Sequence, residues 1–180
     1  MDKTKRTLIT GLAATVTGML VPGQTLAKIL SVSKRRKVAL HNIHTDETTE
    51  VTYWKDGVYQ ERAILKLNEL LRDHRKEQVA NMDINVIDQI YAIQKKLSSD
   101  EQVQVISGFR SKSSNEELSQ RSRGVAKRSY HTLGRAIDIY IPDVSLKKQR
   151  IAAVRLNAGG VGYYRRSKFI HIDSGPVRFW

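Results

Sequence analysis

The chain has 180 residues, 40% of them hydrophobic and 27% charged, a balance that excludes wholesale disorder and suffices for one domain with a proper core. Its 31 basic against 18 acidic residues leave a formal charge of +13, which favours a polyanionic partner: nucleic acid, anionic lipid or a carboxylate-rich wall polymer. Cysteine is absent, which excludes disulfides and thiolate zinc sites, so a metal must be held by His, Asp or Glu.

The N-terminus, "MDKTKRTLITGLAATVTGMLVPGQTLAKIL", passes from a basic start through an apolar run at residues 8–21 to small and turn-forming residues, the order of a secretory signal peptide. That run is short for a bilayer span, so cleavage near Ala27 is predicted, dividing the chain into a signal peptide (1–27) and one domain (28–180). The segment "TKRTLI" resembles a twin-arginine export signal with lysine in the first paired position, which leaves a Tat-like or a Sec route. Loss of residues 1–27 removes Lys3, Lys5, Arg6 and Asp2 and lowers the formal charge only from +13 to +11. Export argues against nucleic acid and leaves electrostatic contact with anionic envelope polymers as the expected use of the charge.

Residues 33–37, "SKRRK", read as a solvated basic arm. The stretch "KVALHNIHTDETTEVTYWKDGVY" reads as a hairpin with a turn at Lys55-Asp56-Gly57. Apolar residues at helical spacing predict one amphipathic helix over residues 60–78, carrying His74, and a second over 84–97. "QVQVISGFRS" reads as a strand leaving through Gly108 into a turn, and Ser114 to Glu117 has the pattern of a capping box that opens another helix. Ser145 is a candidate cap for "LKKQRIAAVRLNA", which would end at Gly159-Gly160. The result is a single α+β domain: a central, largely antiparallel sheet flanked by helices.

Two strands are unusual. In "AIDIYI", alternation sends Ile137, Ile139 and Ile141 to one face and Ala136, Asp138 and Tyr140 to the other. In "KFIHIDSG", Phe169, His171 and Asp173 share a face opposite Ile170 and Ile172. His131 stands just before the first strand, with Gly134 allowing a turn between. Side by side, the strands would bring two imidazoles and a carboxylate together as a three-ligand zinc site on the cleft face of the sheet, with a position open for water, the form a catalytic zinc takes. On spacing alone, a surface Asp with two partly buried histidines fits equally well.

The run Ser129-x-His131-x-x-Gly134-x-Ala136-x-Asp138 resembles the S-x-H-x-x-G-x-A-x-D signature of the zinc D-Ala-D-Ala peptidase superfamily, which includes lysostaphin-like and hedgehog-like domains. "NIHTDE", "LNELLRDHR", "ISGFRS", "NEELSQRSRGVAKRSYHT", "AGGVGYY" and "FIHIDSGPVRFW" extend the likeness, over most of the chain, to the periplasmic murein endopeptidase K-like branch. That resemblance implies one Zn²⁺ on His131, Asp138 and His171, a periplasmic location, and hydrolysis of amides in peptidoglycan cross-links. It gives Arg110 the place of an arginine that steadies substrate or a tetrahedral oxyanion, and Ser129 a contact to substrate or to a ligand's surroundings, local capping being the alternative.

One departure stands out: where related peptidases carry an acidic base or a histidine before the last ligand, this chain has Lys168 and Phe169. Asp173, acidic and on the ligand face, is then the candidate base, with orientation of a ligand histidine as its other role. His41 and His44 are expected to pack or hydrogen-bond, Tyr163 and Tyr164 to line a groove or anchor a loop, and Trp180 to pack. Two rivals accompany the zinc endopeptidase reading: a D,D-carboxypeptidase, and a peptidoglycan-binding protein that keeps the zinc fold without turnover.

Overall fold

A computed structural model describes residues 25–122 and 124–180; the predicted signal, apart from its last three residues, lies outside them. Among the described residues there are eight strands: β1 (Arg35–Asn42), β2 (Thr48–Lys55), β3 (Val58–Tyr59), β4 (Val103–Ser107), β5 (Ala136–Tyr140), β6 (Gly160–Tyr164), β7 (Phe169–Asp173) and β8 (Arg178–Phe179). They form one mixed sheet in the order β3-β2-β1-β4-β5-β7-β6-β8. The pairs β1/β4 and β6/β8 are parallel and the other five antiparallel, so the largely antiparallel expectation describes the sheet. Among the described residues five α-helices accompany it: α1 (Leu26–Ser31), α2 (Glu61–Leu70), α3 (Ile84–Leu97), α4 (Lys112–Arg121) and α5 (Leu146–Leu156).

The isoleucines divide the sheet as alternation predicts. Ile137, Ile139, Ile170 and Ile172 join Val86, Ile90 and Ile93 of α3 and Ala152, Ala153 and Leu156 of α5 in one buried cluster. α3 starts because the Asp83 carboxylate accepts from Asn85 N at 3.0 Å, and it stops where Ser98 turns left-handed at φ 51°. The hairpin turn also matches, with Asp56 and Gly57 both at positive φ.

Three local expectations are corrected. α2 ends at Leu70, eight residues short of the predicted helix. Asp73 then turns the chain back, its carboxylate accepting from Arg75 N at 3.1 Å, a local bond that competes with helix, and from the distant Ser111 N at 2.9 Å. His74 therefore sits in a turn, stacked on His44 with ring centroids 4.4 Å apart. α4 is capped by Ser111, whose Oγ accepts from Ser114 N, while Ser114 itself is fully buried. The basic arm, finally, is not all solvated. Arg36 is 5% exposed, donating to Asp88 at 2.9 Å and to Leu30 O at 3.2 Å, while Tyr53 and Tyr59 also donate to Asp88. A carboxylate buried on α3 needs such partners, and they tie α1, β1, β2 and β3 to that helix.

Candidate metal centre

β5 and β7 pair antiparallel in a register that sets Asp138 opposite His171 and Ala136 opposite Asp173. Opposed residues on one face have Cβ atoms about 5 Å apart, so this register alone brings the carboxylate and the imidazole together. His131 arrives from a short 3-10 turn, Tyr130–Leu133, which Ser129 caps by accepting from His131 N at 3.3 Å. Gly134 closes the turn at φ 66°, against Asn81 O, where a Cβ would come within 2.4 Å. His131, Asp138 and His171 are each at most 8% exposed, so the face opposite the isoleucines is a covered cleft, not solvent.

The hydrogen bonds fix the tautomers. His131 Nδ1 lies 2.7 Å from Gly108 O, which can only accept, so Nδ1 carries the proton and Nε2 presents a lone pair. His171 is set the opposite way: its Nε2 donates to Asp173 Oδ2 at 3.0 Å, leaving the Nδ1 lone pair inward. His131 Nε2 and His171 Nδ1 are 3.2 Å apart, and Asp138 Oδ1 lies 3.3 Å from the first and 2.8 Å from the second. Three acceptors this close repel one another unless a proton or a metal cation sits among them. Two imidazole nitrogens and one carboxylate oxygen are the donors that zinc takes, so this group fits such an ion.

The electrostatics agree. Burial disfavours ionisation of Asp138, yet the charges and hydrogen bonds of both histidines outweigh it and hold the carboxyl well below the usual range. Burial pushes the His131 imidazole down. The same burial opposes charging of His171, but the hydrogen bonds to Asp138 and Asp173 raise it. Of the three groups His171 is the one whose protonated form is favoured, and a metal at Nδ1 would compete with that proton.

The cleft over the trio has a volume of about 170 Å³ and is walled by Arg110, Arg128, Ser129, Tyr164, Arg178 and Trp180 among others. Arg110 is 8% exposed, and its one side-chain hydrogen bond runs from Nη1 to Asn115 Oδ1 at 3.3 Å. Its Nε is buried without a partner among the described residues. Burial lowers the Arg110 pKa, opposed by the field of Asp138, but a guanidinium stays charged, leaving a desolvated cation with unused donors beside the trio. Ser129 lines the cleft with its Oγ engaged in capping.

Asp173 lies beside His171. Its side chain is fully buried, and its oxygens accept five hydrogen bonds: from Gly160 N, Gly175 N, His171 Nε2 and twice from Arg178. These bonds, above all those from His171 and Arg178, overcome burial and hold its carboxyl well below the usual range. Alternation places it on the ligand face, as expected, but it contacts the edge of the His171 ring opposite Nδ1, so the ring stands between it and the trio.

Sequence reasoning missed Arg178 and Asn115. Arg178 grips Asp173 at 2.6 and 3.1 Å and stacks near the rings of Tyr130 and Trp180, each 5.1 Å away. Asn115 is 2% exposed; beyond holding Arg110 it donates to Ala126 O and Lys127 O, fixing the loop that walls the cleft. Neither carries a local signal, since each acts through residues distant in the chain. Trp180 does not simply pack: it is 47% exposed, donates to Tyr164 Oη, and its ring lies 5.4 Å from that of His171. Tyr164, stacked on Phe169 at 4.5 Å, lines the cleft as anticipated. His41 pairs with Asp46 and His44 contacts Ile106 O, both away from the trio.

A family model described as Peptidase_M15_2: Peptidoglycan L,D-endopeptidase MepK matches residues 30–180. Among similar proteins, the peptidoglycan L,D-endopeptidase MepK of Escherichia coli K12 is 44% identical over 151 residues, covering 84% of this chain and 83% of that protein. The probable peptidoglycan L,D-endopeptidase MepK of Haemophilus influenzae Rd is 41% identical over 162 residues, covering 89% and 87%.

Proposed function

Because the chain belongs to the peptidoglycan L,D-endopeptidase MepK family of M15 peptidases, we propose that it hydrolyses L,D amides in cross-linked stem peptides with one zinc ion held by His131 Nε2, Asp138 Oδ1 and His171 Nδ1. It is a peptidoglycan endopeptidase, a hydrolase. The observation that supports the zinc reading is the convergence of three lone pairs whose tautomers are set by Gly108 O and Asp173. Zinc bound there supplies an activated water and a Lewis acid for the scissile carbonyl.

The chain's own residues do the rest. Gly108 O and Asp173 hold the two imidazoles with their lone pairs inward. Arg110, buried and short of acceptors, offers planar donors to the developing oxyanion or to a carboxylate beside the scissile bond. Tyr164, Trp180 and Phe169 give the cleft an apolar wall on one side.

The test is digestion of purified sacculi followed by mass spectrometry of the muropeptides. L,D cross-linked dimers should fall to monomers, chelation should stop the reaction, and added zinc should restore it. Dimers left intact while the protein co-sediments with sacculi would favour the binding module, and loss of terminal alanine alone the carboxypeptidase. Arg110→Lys should keep zinc and lose kcat by about 10- to 100-fold, because an ammonium lacks the guanidinium fork. Wild-type kcat at full occupancy would remove Arg110 from the reaction.

Peptidoglycan lies outside the cytoplasmic membrane, so the enzyme acts there. We assign residues 1–27 as the export signal and the periplasm as the destination, a reading supported by the basic, apolar, small-residue order of that stretch and by a family match that begins at residue 30. N-terminal sequencing should find a mature chain starting near Lys28; Met1 retained on a cytoplasmic protein would overturn it.

A further inference from the structure

A larger cavity, about 550 Å³, adjoins the metal cleft, and Arg128, Ser129 and Tyr130 line both. Its rim carries Lys112, Lys127, Arg128 and Arg135 against a single carboxylate, Glu116. Arg135 is already engaged, donating to Ser174 O at 2.6 Å and lying 3.6 Å from Asp83. Lys112, Lys127 and Arg128 form no ion pair with a described residue. Leu133, 62% exposed, adds an apolar surface beside these free cations.

The cavity has a fixed wall. Asn115 lies between it and the cleft, its Oδ1 on Arg110 and its Nδ2 on Ala126 O and Lys127 O, so the backbone that presents Lys127 and Arg128 is tied to the arginine beside the trio. Size decides what this implies. An amide in the middle of a cross-link has a peptide arm on each side, and 170 Å³ over the trio holds the scissile bond but not both arms. An arm passing the Arg128–Tyr130 wall enters a cavity three times larger with unpaired cations on its rim.

We propose that this cavity is a subsite for one arm of the cross-linked substrate, a carboxylate-bearing peptide whose free carboxylates are met by Lys112 and Lys127 and whose aliphatic carbons lie on Leu133. The subsite rests on the endopeptidase reading. It places substrate binding energy away from the scissile bond, where it holds the arm equally in the ground state and the transition state and so shows in KM.

The test compares two muropeptide dimers with the same cross-link, one with its free carboxylates intact and one with them amidated, on the zinc-loaded wild type and on Lys112→Glu/Lys127→Glu. Wild type should prefer the carboxylate form by about tenfold in kcat/KM, the size expected of two solvent-edge charge contacts. The double variant should lose that preference through a higher KM with kcat held within about twofold. Raising the salt should erode the wild-type preference and leave the amidated dimer unaffected. A variant with wild-type KM and preference would overturn the subsite alone, as would one weakened equally on both dimers. Wild-type protein that cleaves neither dimer would overturn the endopeptidase reading and the subsite with it.

Discussion

Replacement of His131, Asp138 or His171 by alanine should abolish both zinc binding and cross-link hydrolysis, the largest effect expected of any single substitution. Each side chain supplies one of three donors. Two donors leave too few to hold a catalytic ion against water, and metal affinity here depends on all three presenting lone pairs at once. The prediction has a readout besides turnover. An ion that binds the folded chain stabilises it by about 4 kcal/mol at a thousandfold excess over its dissociation constant, which for a domain of this size raises the unfolding midpoint by about 10 °C. Wild type should show that zinc-dependent rise and each alanine variant should lack it. His74→Ala, whose ring stacks on His44 away from the trio, should keep both the rise and the activity. A ligand variant that still gains stability from zinc would mean that the ion is held elsewhere.

How far this site was legible in the sequence differs from one residue to the next. The alternation in "AIDIYI" and "FIHID" put Asp138, His171 and Asp173 on the faces they occupy, because strand period is a local property. The register that sets Asp138 opposite His171 is not local, and there the motif, not the periodicity, carried the assignment. β6 was missed altogether. Its glycines read as a flexible loop, yet Gly160 and Gly162 are there because a Cβ at the first would come within 2.5 Å of Asp173 and at the second within 2.8 Å of the Trp180 and Tyr164 rings. The overlong α2 failed for a different reason: past Leu71 the sequence runs "RDHRKEQ", with no apolar residue to carry the helical spacing on, and the Asp73 carboxylate accepts from Arg75 N and Ser111 N there. Alternation also cannot say which edge of an imidazole faces a neighbour, and that is the fact that decides between the two roles open to Asp173.

Asp173→Asn should weaken zinc binding by about 10- to 100-fold, with hydrolysis restored by excess metal, if the role of Asp173 is to orient His171. The five hydrogen bonds it accepts all come from groups that can only donate in this setting: two backbone N–H groups, the Arg178 guanidinium twice, and His171 Nε2. An asparagine has the same shape but one oxygen, and its amide nitrogen would face donors, so at least one buried N–H loses its acceptor. That costs about 1–3 kcal/mol and lets His171 rotate or change tautomer, taking the Nδ1 lone pair out of the trio. Thermal unfolding in the absence of zinc reports the first loss, and zinc titration the second. Arg178→Gln gives a second arm, since it removes the guanidinium that pins Asp173 while leaving the carboxylate on His171, and should reproduce the weaker zinc binding to a smaller degree. The opposing outcome is specific. Should Asp173→Asn keep wild-type zinc affinity and lose 10²- to 10⁴-fold in kcat at saturating metal, the carboxylate carries the proton after all, and the His171 ring that separates it from the trio must move during turnover.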